Sequence, residues 1–121
     1  MTEIKIERVY ADPSGVPADG FRIFVDRLWP RGESKDKFHY DLWAKTISPS
    51  DELRHWFHES PDTRWDEFEK RYLDELESSD AAIRLVEEVK KHERVMLLFS
   101  SRDESHNNAV VLKKFIESKL Q

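Results

Sequence analysis

The chain has 121 residues, 38% of them hydrophobic and 37% charged, which suits one domain, 1–121, folded around one core. Its formal net charge of -5 speaks against a general nucleic-acid binder, whose affinity comes from neutralising phosphates with Lys and Arg. The absence of cysteine excludes disulfide frameworks, thiolate zinc sites and cysteine nucleophiles.

The segment IKIERVY (4–10) alternates Ile4, Ile6 and Arg8 against Lys5, Glu7 and Val9, which predicts a strand. The stretch MTEIKIERVY (1–10) carries acids and alternation where a secretory leader would carry a basic and then an apolar region. No apolar run reaches the ~18 residues of a bilayer span. No membrane association is expected, and the expected location is the cytoplasm. ADPSGVPADG (11–20) holds two Pro and two Gly and breaks regular structure. FRIFVDRLW (21–29) predicts a second strand, stopped by Pro30, and DLWAKTI (41–47) a short helix presenting Leu42, Trp43 and Ile47.

Two helix starts follow with one grammar. Ser48 is the expected N-cap before Pro49, with Asp51 completing a capping-box pattern, and Ser60 precedes Pro61 in the same way. From there Trp65, Phe68, Tyr72 and Leu76 form one apolar stripe, which predicts a helix over 62–77. A helix over 80–91 places Ile83, Val86 and Val89 on one side and ends in cations that suit its dipole. Val95 to Phe99 is apolar without alternation, the mark of a strand covered on both faces. After SSRDES, the stretch HNNAVVLKKFIESKL predicts a last helix burying Val110 or Val111, with Phe115. The expected fold class is therefore α/β: a short, at least partly parallel sheet of about three strands packed by four or five helices.

In open α/β sheets, ligands gather at the carboxyl ends of strands, beside helix N-termini. DRLWPRG ends the second strand, and SSRDESHNN ends the third and opens the last helix. If these strands are parallel neighbours, Arg27, Arg31, Ser100, Arg102, Asp103 and His106 meet on one edge of the sheet. Arg27 and Arg31 then form a fork for a phosphate or carboxylate, joined by Arg102 and Ser100. Asp103 is the expected cap of the last helix, leaving His106 in its first turn, where free N–H groups favour a neutral imidazole able to act as a base. The bland alternatives are that Asp26 or Arg27 bonds a neighbouring strand, Trp29 plugs the core edge and Asp103 merely caps. His55 and His58 sit three apart, but no third and fourth metal ligand accompanies them, so surface histidines are the expectation and no metal is assigned. With three glycines and no P-loop, dinucleotide turn or nucleophile elbow, no cofactor is assigned either.

These segments carry a resemblance. GFRIFVDRLWPRG, LWAKTISPSDELRHWF, RWDEFEKRYLDEL and RVMLLFSSRDESHNNAVVL together resemble the YeaO-like family of bacterial proteins of unknown function, over roughly residues 6 to 117. The resemblance implies a small cytoplasmic α/β domain and brings no settled activity. A broader set of related domains carries a Cys–His–Arg motif after the last strand. Here Ser105, His106 and Asn107 stand nearest to it, so only the histidine is retained and a thiol mechanism does not transfer.

Two functions stay open. One is an enzyme acting on a phosphate- or nucleotide-like molecule, with Arg27 and Arg31 holding the anion, Asp103 setting the helix start and His106 as base for hydrolase or transferase chemistry. The other is a non-catalytic module that binds a small anionic ligand or a protein through the same edge. A nucleic-acid accessory role is disfavoured by the charge, and the sequence leaves strand order and oligomeric state open.

Overall fold

The computed structural model describes residues 2–13 and 20–121. Its frame is a four-stranded sheet of β1 (Glu3–Arg8), β2 (Phe21–Phe24), β3 (Leu42–Trp43) and β4 (Arg94–Phe99), ordered β1-β4-β2-β3. All three pairings are parallel. The α/β class and the parallel β2–β4 pairing match the sequence expectation, and β4 lies inside the sheet with Val95 to Phe99 buried.

The count of about three strands is corrected to four. DLWAKTI is a strand followed by a 3-10 turn over Lys45–Ile47, rather than one helix. The physical reason lies in its neighbours: Asp41 N donates to Arg22 O and Ala44 N to Phe24 O, each at 2.8 Å, so the backbone extends the β2 ladder. The indole of Trp43 is held as well, its Nε1 donating to Asp26 O at 2.7 Å. The second strand also ends earlier than Trp29. Pairing of β2 stops at Phe24, and the chain turns away once Asp26 bonds to the end of β4.

The α-helices among the described residues are α1 (Asp51–Glu59), α2 (Pro61–Glu77), α3 (Asp80–Val89) and α4 (Asn108–Leu120). Ser50, not Ser48, caps α1, accepting from Leu53 N at 3.2 Å while its own hydroxyl donates to Glu75. Pro61 opens α2 as expected. In α3 the buried stripe is Ala82, Leu85, Val86 and Val89, leaving Ile83 57% exposed. The last helix begins later than expected, at Asn108, because Asn107 takes the cap by accepting from Val110 N at 3.1 Å. Val111 is the buried valine of the pair.

The helices cover one face of the sheet, packing on Ile4, Ile23, Val25, Val95, Leu97 and Phe99. The phenol of Tyr72 ties the layers together, donating to Ile47 O at 2.6 Å from a fully buried position. Among the described residues no helix covers the opposite face. There Val9, Phe24, Met96 and Leu98 meet Phe38 and the half-buried rings of Tyr10, Trp29, Tyr40 and Trp43. Aromatic rings provide enough area for one loop to do a helix's work. Trp29 thus plugs a core edge, with Nε1 donating to Glu33 O at 2.7 Å and Gly32 turning the chain at φ 85°. No helix among the described residues is long and apolar enough to cross a membrane.

Candidate functional site

The parallel order sends the ends of β1, β4 and β2 to the same edge of the sheet, and a cleft of about 690 Å³ opens there. Arg8 and Tyr10 come from the end of β1, Asp26 to Arg31 from the segment after β2, and Ser100, Ser101 and Arg102 from the end of β4. Arg54, Phe57 and His58 of α1 and Phe68 of α2 close the far side, and His106 to Asn108 lead into α4.

Arg27, Arg31, Ser100, Arg102 and His106 therefore line one cleft, as the parallel-neighbour argument requires. Their individual placements differ from expectation. Arg27 does not form a fork with Arg31; it pairs with Asp51, which also takes Arg54 at 2.7 Å. The hydrogen bond from Arg54, and then the charge of Arg27, hold the Asp51 carboxyl below its ordinary range. Arg31 and Arg102 have no carboxylate partner among the described residues. Ser100 lines the cleft with its donors occupied: its N–H and its hydroxyl both give to Asp26 Oδ2.

Asp103 does not cap α4 and does not line the cleft. Its Oδ1 accepts from Ser105 N and His106 N, each at 2.9 Å, and closes a turn ahead of the helix. Those two backbone donors, with the N–H of His106 foremost, lower its pKa. The early turn explains the late helix start, since Asn107 then reaches back with Nδ2 to Asp103 O at 2.8 Å and is itself the cap. His106 consequently stands before the helix rather than in its first turn. Its Nδ1 lies 3.6 Å from Asp103 Oδ2 and its ring lies against Trp65 with centroids 4.7 Å apart. His55 and His58 do not share a site: His58 lines the cleft, whereas His55 borders a separate groove between α1 and α2. Trp56 is half-buried beneath the guanidinium groups of Arg64 and Arg71.

Two residues gain importance from the strand order. Arg8 reads in sequence as one alternating position of a strand, yet it ends β1 beside the end of β4. Its Nε donates to Ser100 O at 3.3 Å and Ser101 O at 3.0 Å, and its guanidinium sits 4.7 Å from the Tyr10 ring centre. Tyr10 in turn donates to Arg31 O at 2.7 Å, tying the loop to the same wall. Asp26 is the second. It bonds a neighbouring strand at Ser100 and the first residue of α4, with Asn108 Nδ2 at 3.2 Å from Oδ1. Among the described residues no group of three or more His, Asp or Glu side chains could hold a metal ion.

The chain matches, over residues 3–121, the family described as the inactive DUF488-N3 subclade. The chain belongs to this subclade. It is similar to the uncharacterized protein YeaO of Escherichia coli (strain K12), 40% identical over 115 residues that make 95% of this chain and 97% of the relative. It is also similar to an uncharacterized protein of Mycobacterium tuberculosis (strain H37Rv), 36% identical over 118 residues, 98% of this chain and 97% of the relative. No solved structure matches the chain. Membership of the DUF488-N3 inactive subclade agrees with the YeaO-like resemblance read from VDRLWPRG and RDESHNNAVVL.

Proposed function

We propose that this protein is a non-catalytic module that binds a small phosphate-like anion at the carboxyl ends of β1 and β4. The observation that carries this reading is that Arg8, Arg31 and Arg102 line one cleft with no carboxylate partner among the described residues. Arg8 is oriented in advance by two backbone carbonyls and the Tyr10 ring, leaving its two terminal nitrogens for a ligand. Planar guanidinium forks suit phosphate and carboxylate. Preorganisation lowers the entropy lost on binding. Asp26 also lines the cleft, but Ser100 and Asn108 tie its carboxylate into the fold. Five arginines here make a local excess of positive charge in a chain whose net charge is -5.

A hydrolase or transferase with His106 as base has less support. Such chemistry wants a nucleophile held against the base, whereas the Ser100 hydroxyl faces Asp26 and the His106 ring faces Asp103 and Trp65. The description of the subclade as inactive points the same way.

The test is a thermal-shift comparison of phosphate and sulfate with chloride at constant ionic strength. A ligand at a hundred times its Kd stabilises the fold by about 2.7 kcal/mol. Phosphate is expected to raise the Tm of the wild type and to lose most of that effect in Arg102→Ala, an exposed position. Equal Tm values in all three salts would contradict the reading.

A further inference from the structure

The cleft differs in chemistry from one end to the other. At the β1–β4 end lie the three arginines without carboxylate partners. At the α1–α2 end, Arg27 and Arg54 share the single carboxylate of Asp51, which offsets one of their two charges. There the lining includes the largely buried Pro49, Phe57 and Phe68 beside Ser48, Arg54 and His58, and Leu28 lines the cleft as well. Leu28 is 71% exposed, a large apolar side chain with most of its surface in water. His58 of α1 and His106, whose ring lies against Trp65 of α2, add ring nitrogens on that same side. A cleft of about 690 Å³ is of the size that holds an organic molecule, larger than a bare phosphate fills.

Resting on the anion-binding reading above, we infer that the ligand is a phosphate monoester bearing a flat aromatic ring, the class to which nucleoside monophosphates belong. Its phosphate sits among Arg8, Arg31 and Arg102, and its ring lies under Leu28 toward Pro49 and Phe57. Leu28 thereby loses water on binding, and the histidines meet the polar edge of the ring or the sugar. The phosphate is placed where the arginines have no carboxylate partner and the ring where Asp51 offsets part of the positive charge.

Calorimetry with adenosine 5′-monophosphate, phenyl phosphate, ribose 5-phosphate and adenosine tests the inference, on wild type and Leu28→Ser. Leu28 is exposed, so the substitution leaves the core intact. Both ring-bearing esters are expected to bind about tenfold more tightly than ribose 5-phosphate. Leu28→Ser is expected to remove most of that margin while ribose 5-phosphate binds as before. Equal affinity for all three esters would overturn the ring and leave the anion site standing. Adenosine binding as tightly as its monophosphate would overturn the placement of the phosphate. Failure of every phosphate ester to bind would overturn both this inference and the reading it rests on.

Discussion

Tyr72 and Asp26 show what single side chains contribute to positioning the cleft. Tyr72 is fully buried with its hydroxyl on Ile47 O. Tyr72→Phe strands that carbonyl and is expected to cost about 1–2 kcal/mol at neutral pH, read from urea unfolding. Burial pushes the Tyr72 pKa far above its ordinary value of 10.0. The folded state therefore disfavours ionisation, and the stability linked to this group is complete below pH ~10 and falls as pH rises further. Tyr72→Phe has no phenol to ionise, so its deficit against wild type is expected to shrink above pH ~10; a constant deficit would contradict this account. Asp26→Ala leaves the Ser100 N–H and hydroxyl without their acceptor and removes one of the two acceptors of Asn108 Nδ2, and is expected to destabilise by about 1–3 kcal/mol. At this scale the sequence was partly informative. It raised Asp26 or Arg27 as a residue that bonds a neighbouring strand, and Asp26 makes that bond at the end of β4. It passed over Arg8, because alternation alone describes a strand position and says nothing about which strand lies beside it.

Elements were predicted best where periodicity was long. The stripe Phe68, Tyr72 and Leu76 buries one face of α2 as expected, with Trp65 packed half-buried beside it. Short segments were decided by their neighbours. Leu42 and Trp43 are a strand because β2 offers a free ladder edge, and local sequence carries no trace of that offer. Caps were misplaced for a similar reason: Ser48, Ser50, Asp103 and Asn107 all have cap chemistry, and tertiary bonds choose among them. Gly20 has a purely geometric role at the entry to β2. It stands at φ 79°, and a Cβ there would lie 2.3 Å from Arg94 O at the start of β4. Gly20→Ala combines left-handed strain with a backbone clash, and an expected loss of about 2 kcal/mol or more would appear as a lower urea midpoint. An unchanged midpoint would show that the two strands approach less closely.

At the scale of the whole molecule, the strand order β1-β4-β2-β3 assembles the cleft, because it sets three strand ends in a row. The sequence supplied two of those ends, after β2 and after β4, and the structure adds the third with Arg8 and Tyr10. Asp51 then divides the arginines into a pair that shares its carboxylate and a set without a carboxylate partner among the described residues, a division that depends on where α1 packs. The central claim is that the second set receives an anion. The most direct measurement is an amide chemical-shift titration of isotope-labelled protein with phosphate at constant ionic strength. Saturable shifts confined to Arg8–Tyr10, Asp26–Arg31 and Ser100–His106 are the predicted result. Shifts scattered over α3 and the outer face of α2, or none that saturate, would contradict it.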